Sequence, residues 1–155
     1  MGKPPQPSDL FNKLSFTLQM TFEPGQKGAF MPPLVNQFVK PDALPTRIYI
    51  DASGVQIWQK GGGKLRSPTS EEWDSVALDA PEITFRSEAE GEPKKTFRAA
   101  NGKWFSVREL VGVVEKWEQE DRVRSDWFGG VDAHHIFFEG VEIGDDGFAF
   151  VAWGS

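Results

Sequence analysis

The two histidines of the chain are adjacent, in the segment Asp132-Ala133-His134-His135. On an extended backbone Asp132 and His134 point to the same side, about 7 Å apart, because each residue advances a strand by about 3.3 Å. A carboxylate in that position can orient an imidazole and stabilise its charged form, which suits general base catalysis. The sequence therefore offers one candidate catalytic pair, with His134 as the base and Asp132 as the group that orients it.

Two glutamates follow the histidines on the same predicted strand and could act as a second acid. Strict alternation would place Glu142 on the side of His134, whereas Glu139 would share a side with His135, about 13 Å away from it. Without a bulge in the strand, that separation prevents His135 and Glu139 from sharing a metal ion, and we predict neither a metal site nor a bound cofactor. An enzyme built here would be of the hydrolase type, with His134, Asp132 and Glu139 as its catalytic residues.

The rest of the sequence holds few groups that carry chemistry. The chain has no cysteine, which excludes thiolate nucleophiles, disulfides and cysteine-ligated zinc. The run Gly61-Gly62-Gly63-Lys64 lacks the earlier glycine and the following serine or threonine of a phosphate-binding loop. The two carboxylates of Gly144-Asp145-Asp146-Gly147 are too few for calcium, which takes roughly six to eight oxygen ligands.

We therefore favour a protein without catalytic activity. A small-molecule-binding domain or hydrolase-type enzyme, with a pocket near Asp132 and His134, is the alternative.

The charge balance argues against nucleic acid as a partner. The formal net charge is −6, whereas phosphate backbones are bound by basic surfaces. One segment does alternate basic and aromatic residues in the manner that single-stranded nucleic acid uses. Acidic residues precede that segment, and its rings fit the core side of a hairpin, so we predict no nucleic-acid binding. The segment contains Lys94, Lys95, Phe97, Arg98, Lys103, Trp104, Phe105 and Arg108.

An acidic surface would instead speed association with a basic protein partner. Residues 23–46 and 125–131 are predicted loops that hold more apolar side chains than a solvated loop needs. Exposed aromatic side chains beside flexible glycines are typical of recognition surfaces. We therefore predict a non-enzymatic protein-binding or accessory domain, such as an acidic inhibitor of a basic partner, and leave its oligomeric state open. The predicted contact residues are Phe30, Met31, Trp127, Phe128 and His135. Carbohydrate binding through the six tryptophans is a third hypothesis.

A single domain must position these residues, because 155 residues is an ordinary domain length. The proline-rich residues 1–13 predict a flexible arm, and residues 14–155 the α+β domain. Apolar residues alternate with polar ones over 14–22, which predicts a half-buried strand. Turn-forming residues predict two hairpins, one around 51–54 and one around 144–147.

Capping signals locate the helices. Ser106 and Glu109 have capping-box spacing before an apolar stripe, which predicts the principal helix at about 107–122. Thr69 and Glu72 have the same spacing before a shorter helix. With strands also expected near 82–86 and 94–99, the sequence predicts an α+β fold. We expect a mostly antiparallel sheet of six or seven strands, with the principal helix packed on one face.

The last predicted strand, residues 148–153, is apolar on both sides, and we expect both faces of it to be buried. The chain has no apolar stretch of about 18 residues, so we expect no membrane span. The first residues lack the apolar core of a signal peptide, and we expect a cytoplasmic protein.

Substitution of Trp127 or Phe128 by alanine tests the predicted recognition loop. If both rings contact a partner, each variant should bind that partner more weakly while its melting temperature stays that of the wild type. Binding titration and thermal unfolding measure the two quantities. A large drop in melting temperature would identify the rings as core residues instead.

Overall fold

A computed structural model describes residues 4–22, 38–39, 48–58, 63–88, 91–122, 131–132 and 135–154. These residues form an α+β fold, as predicted. The helices are α1 (Asp9–Asn12), α2 (Ser70–Asp74) and α3 (Val107–Asp121). The strands are β1 (Leu14–Phe22), β2 (Phe38–Val39), β3 (Ile48–Trp58), β4 (Leu65–Arg66), β5 (Val76–Leu78), β6 (Glu82–Arg86), β7 (Lys94–Arg98), β8 (Phe105–Ser106), β9 (Val131–Asp132), β10 (Phe137–Ile143) and β11 (Phe148–Gly154).

Seven strands form one sheet in the order β4-β3-β1-β10-β11-β6-β7. Neighbouring strands are antiparallel except β11 and β6, which run parallel. Two short pairs, β2 with β9 and β5 with β8, lie outside this sheet. The prediction of a mostly antiparallel sheet with one principal helix is thereby confirmed, and the strand at 14–22 and the hairpin around 144–147 form as expected.

Helix α3 begins where the capping signal predicted. The Ser106 hydroxyl accepts a hydrogen bond from the Glu109 backbone N–H at 3.0 Å. Only this half of the predicted capping box forms, because the Glu109 carboxylate accepts from the Ala100 N–H instead. The apolar stripe of the helix faces the sheet, and its Trp117 stacks on Phe85 of β6 with ring centroids 5.4 Å apart.

The same turns of α3 also reach the other end of the sheet. Glu115 Oε2 accepts a hydrogen bond from the Ala52 N–H, and Gln119 Oε1 accepts one from the Ile50 N–H, both at 2.7 Å. Five strand intervals separate β3 from β7, about 24 Å on a flat sheet, whereas a helix with its side chains is about 10–12 Å wide. Because α3 also forms an ion pair with β7, the sheet must curve around the helix.

Residues 4–12 pack against the rest of the fold. Ser8 caps α1, and its backbone N–H donates to the Ala77 carbonyl at 2.7 Å. Phe11 is fully buried and meets the ring of Phe138 edge-on at 5.6 Å. The sequence predicted a flexible arm over residues 1–13. Its proline content gave no sign of these contacts, because the apolar anchor, Phe11, is a single residue outside any periodic pattern.

Two side-chain amides in this N-terminal segment take the place of a neighbouring strand for part of β10. Asn12 Oδ1 accepts from the Val141 N–H at 2.9 Å, and its Nδ2 donates to the Val141 carbonyl at 3.1 Å. Gln6 makes the same pair of bonds with Ile143, at 2.9 and 2.7 Å. A primary amide carries the donor and acceptor of a peptide group, so it can satisfy a strand where β1 does not pair with it.

The predicted hairpin around 51–54 is wrong, because β3 continues through this segment as one strand. Its register against β1 shifts between Ser15 and Thr17, where β3 carries one extra residue. Gly54 lies there with a φ of +68°, a conformation typical of the glycine in a β-bulge. The segment was predicted as a turn because a glycine with positive φ is found both in hairpin turns and in β-bulges, and here it forms a bulge.

The prediction that the last strand is buried on both faces is also wrong. Ala149 is fully buried towards the helix, but Phe148 and Phe150 on the opposite side are only half-buried. The strand is fifth of seven in the sheet, so its position is internal as expected. Apolar composition alone could not separate a face covered by a helix from one covered by long polar side chains.

Replacement of Asn12 by alanine should lower the free energy of unfolding by about 1–3 kcal/mol, because the buried Val141 N–H and carbonyl lose their partners. Urea unfolding measures this change. Gln19→Ala removes an exposed amide from β1 and should change stability by less than about 0.5 kcal/mol. Equal stability of the two variants would contradict the role given to Asn12.

Candidate functional site

The predicted catalytic residues fall only partly within the described chain. Asp132 belongs to β9, where its backbone pairs with Phe38. His134 lies outside the described residues. Glu139 is exposed on β10. The grouping of Asp132, His134 and Glu139 as a catalytic site therefore stays a prediction.

The two glutamates of β10 lie on the same side of the sheet, contrary to the prediction from strict alternation. Phe138 and Gly140 pair with successive residues of β11, so Glu139 is the extra residue of a bulge. The φ of Gly140 is +120°. Because a bulge shifts the alternation by one residue, Glu139 and Glu142 both become exposed while Val141 between them is buried.

Four of the five predicted contact residues, Phe30, Met31, Trp127 and Phe128, lie outside the described residues. The fifth, His135, is half-buried just before β10 and takes part in an interaction with its surroundings. The predicted recognition loops therefore remain predictions.

The outer face is the side of the seven-stranded sheet that is turned away from α3. Its side chains follow from the strand registers, and the face changes from acidic at β10 to cationic at β6 and β7. In strand order it presents Ser53 and Asp51 on β3, Thr17 and Gln19 on β1, Phe137, Glu139 and Glu142 on β10, Phe148 and Phe150 on β11, Thr84 and Arg86 on β6, and Lys94, Thr96 and Arg98 on β7.

Phe137 has 49% of its surface accessible, and among the described aromatic side chains only Trp58 on β3, at 48%, is similarly exposed. The cross-strand neighbours of Phe137 are Thr17 and Gly154, which are small. The Glu139 carboxylate lies over Gly154, where a Cβ atom would come within 2.5 Å of it. We call Phe137, Glu139 and Glu142 the Phe137 patch. Within the described chain neither carboxylate forms a salt bridge.

The cations of β6 and β7 cover the two phenylalanines of β11. The Arg86 guanidinium lies 5.0 Å from the centroid of Phe148 and 5.1 Å from that of Phe150. Lys94 Nζ lies 5.2 Å from the Phe148 centroid. Asp146 is 3.2 Å from Arg86 and neutralises one of the two cations. Cations held over aromatic rings in this way keep the rings from direct contact with water.

Two hypotheses find no support in the described aromatic residues. Carbohydrate binding requires several exposed indoles, but among the described tryptophans only Trp58 is exposed. Nucleic-acid binding through the basic segment requires accessible rings, but Phe105 is fully buried and Phe97 is half-buried on the helix side. Lys94 and Arg98 of that segment point to the side of the sheet opposite to the Phe97 ring.

A buried ion pair lies at the end of α3. Glu118 and Arg122 are 5% and 6% exposed, and Arg122 Nε donates to Glu118 Oε1 at 2.9 Å. The guanidinium also lies 5.3 Å from the ring centroid of Trp153 on β11. Sequence reasoning missed this pair. The sequence did contain one indication of it, because Glu118 lies one helical turn after Val114, on the apolar stripe of the helix.

Burial raises the pKa of the Glu118 carboxyl, and the charge of Arg122 offsets only part of that effect. The indole N–H of Trp153 also favours the charged carboxylate, although it makes no hydrogen bond of ordinary geometry. A carboxyl group with a raised pKa can act as an acid or base in a site. Glu118 is already paired and almost inaccessible, so we interpret the pair as structural.

A comparison of the chain with models of protein families, with curated proteins and with solved structures found no match. Among the residues that the structure describes, no three His, Asp or Glu side chains come together as metal ligands would. In the same part of the chain, no helix is long and apolar enough to cross a membrane.

The raised pKa of Glu118 predicts a pH dependence of stability. The folded chain binds this proton more tightly than the unfolded chain, so its contribution to the free energy of unfolding decreases as pH rises from about 4.3 through the raised value. Glu118→Gln removes the titration. The stability of the wild type relative to Glu118→Gln should therefore fall over that range, by about 1.4 kcal/mol for each unit of pKa shift.

Urea unfolding at a series of pH values measures this difference. Glu139→Gln, which changes an exposed carboxylate, serves as the control. A wild type that gains stability relative to Glu118→Gln as pH rises would contradict the assigned direction.

Proposed function

We propose that the chain is a non-enzymatic protein-binding or accessory domain that binds a basic protein through its outer face, with the Phe137 patch at the centre of contact. The observation that carries this proposal is a half-exposed aromatic ring followed, on the same face of its strand, by the carboxylates of Glu139 and Glu142, which form no described salt bridge. A cytoplasmic location, which the lack of cysteine suits, belongs to the same proposal.

Phe137 has apolar area available for an interface. An aromatic side chain buries roughly 150–250 Å² when fully covered, so its exposed half amounts to roughly 100 Å². At about 25 cal/mol per Å², covering that area contributes about 2.5 kcal/mol. Large side chains near the centre of an interface commonly dominate its binding energy. The ring is therefore suited to be the anchor of the contact.

The charges around the ring favour a basic partner. Glu139 and Glu142 add to a chain whose net charge is −6, so a basic protein is attracted from a distance. A partner that supplied Lys or Arg beside the ring would pair with these carboxylates as it covered Phe137. Association should then slow as salt increases, because exposed charges are screened.

The cationic part of the outer face would orient such a partner. Arg86 and Lys94 lie beyond the Phe137 patch in strand order, on β6 and β7. They would repel a basic surface that was placed across the whole sheet. Like-charge contacts at the edge of an interface disfavour wrong orientations, so these residues would fix the side from which the partner approaches.

The predicted contacts at Phe30, Met31, Trp127, Phe128 and His135 belong to the same proposal as further parts of the interface. The alternative, a pocket near Asp132 and His134, gains no specific observation from the described residues. We therefore propose one function only, and substitution of Phe137 tests it.

Phe137→Ser should weaken partner binding without unfolding the chain. The tagged wild type is used to isolate partners from its native host, and a basic protein captured in stoichiometric amount is then titrated against the variants. We expect Phe137→Ser to bind at least about tenfold more weakly, as the loss of about 2 kcal/mol implies. Glu139→Lys should weaken binding mainly through a slower association rate.

The matched control is Val76→Ser, which removes an apolar side chain of similar exposure, 42%, from β5 outside the large sheet. Its binding should equal that of the wild type. Thermal unfolding checks that both variants are folded. A partner that Phe137→Ser binds as tightly as Val76→Ser does would refute this proposal.

A further inference from the structure

β7 is the last strand of the large sheet, and no described strand lies beyond it. Flanking hydrogen bonds establish which of its backbone groups point outwards. Ser87 N–H donates to the Pro93 carbonyl and Ala99 N–H donates to the Pro81 carbonyl, both at 2.8 Å. In an antiparallel pair hydrogen-bonded positions alternate, so Lys95 and Phe97 bond to β6 while their neighbours do not.

The outward-pointing backbone groups therefore belong to Lys94, Thr96 and Arg98. The short 2.7 Å contact between the hydroxyls of Thr84 and Thr96 agrees with this parity, because side chains approach more closely at positions without backbone bonds. Three N–H groups and three carbonyls thus line the free edge at the spacing that another strand would need.

Lys94 and Arg98, at the two ends of β7, have cationic side chains. The Arg98 side chain is 83% exposed, and its Nε lies 4.0 Å from Glu82 Oε2, which makes at most a weak ion pair. Lys94 forms no salt bridge within the described chain. Both project to the outer face on either side of Thr96, whereas Lys95 points to the helix side and pairs with Glu120.

We propose that the free edge of β7 binds an acidic, extended peptide segment of a partner protein as an eighth strand of the sheet. Backbone hydrogen bonds to Lys94, Thr96 and Arg98 would hold the segment. One of its carboxylates would face Arg98, and the other would draw Lys94 Nζ to the edge from its place over Phe148. Addition of a strand to an exposed sheet edge is a general mode of peptide recognition, in which the backbone supplies affinity and alternate side chains supply specificity.

Charge selects this occupant over a second copy of the chain. Two β7 strands paired antiparallel about Thr96 would bring each Lys94 opposite the Arg98 of the other copy, and like charges directly opposite are destabilising. Two other devices that protect a sheet edge, a proline and a bulge, are missing from β7 itself. The positive charge of β7 would therefore disfavour pairing with basic strands and favour pairing with acidic ones.

The spacing of the cations defines a probe. Lys94 and Arg98 are four residues apart on one face, so a complementary strand carries two acidic residues separated by three others. The probe is the blocked peptide acetyl-Thr-Glu-Val-Thr-Val-Glu-Thr-amide. The control peptide replaces both glutamates by lysine and keeps the same backbone.

Amide hydrogen exchange of the ¹⁵N-labelled chain tests the backbone contacts directly. Without peptide, the N–H groups of Lys94, Thr96 and Arg98 should exchange rapidly, and those of Lys95 and Phe97 slowly. Saturating acidic peptide should slow exchange at the first three by at least about tenfold, whereas the lysine peptide should not. Unchanged exchange at these three amides, or no binding of the acidic peptide up to millimolar concentration, would overturn the proposal.

Charge-reversal variants test the side chains. Lys94→Glu with Arg98→Glu should weaken binding of the acidic peptide about tenfold, because two cross-strand ion pairs become repulsive. Lys103→Glu with Lys116→Glu makes the same change in net charge at exposed residues outside β7 and should alter binding less than about twofold. Equal losses in the two double variants would show general electrostatic attraction and overturn the edge site.

Phe137→Ser separates this inference from the proposed function. Phe137 is on β10, three strands away from β7, so the variant should bind the acidic peptide like the wild type. Loss of peptide binding in Phe137→Ser would place the peptide on the outer face and contradict the edge site.

Discussion

The sheet depends on two side-chain amides that complete β10. Beyond its short pairing with β1, this strand presents buried backbone groups that need partners, and Asn12 and Gln6 provide them. An unpaired buried peptide group costs about 1–3 kcal/mol, so several such groups would consume much of the stability of a domain. The N-terminal segment is for this reason a structural part of the sheet, and Phe11 fixes it in the core.

This arrangement is consistent with the curvature of the sheet. Where β1 and β10 separate, amide side chains span the gap, and the strands on either side can incline towards α3. The helix then contacts β3 through Glu115 and Gln119, and β6 through Trp117. One face of the sheet is filled by the helix and by aromatic packing around Phe138, whose ring stacks on Phe16 at 4.4 Å. The outer face carries the exposed aromatic and charged side chains.

The elements that could be predicted from the sequence are those in which a local pattern and a tertiary contact agree. Strand β1 has strict alternation, and α3 has both a cap at Ser106 and an apolar stripe. The failures share a physical cause. Gly54 can adopt a positive φ in a turn or in a bulge, and only the register with β1 decides between them. The role of Phe11 likewise depends on a distant partner, Phe138.

The candidate site was hidden from sequence reasoning by another bulge. Phe137 and Phe138 are neighbours of the same type, and the strand pattern alone does not say which of them is exposed. The extra residue at Glu139 brings both glutamates of β10 to the side of Phe137, whereas alternation had separated them. The buried pair of Glu118 and Arg122 was equally hidden, because charged residues in the last turns of a helix are usually solvated.

The charges of the outer face change from strand to strand across the sheet, and this order restricts the partners that can cover it. Three strand intervals, about 14 Å, separate the backbones of β10 and β7, and Arg86 and Lys94 reach back over the phenylalanines of β11 between them. The two regions therefore present opposite charges side by side. A partner of uniform charge is attracted by one region and repelled by the other. A partner with a basic surface beside an acidic strand is attracted by both regions. Because its two contacts are linked, the second forms at a high effective concentration. A dipolar partner is thus the kind that the charge order of this sheet would select.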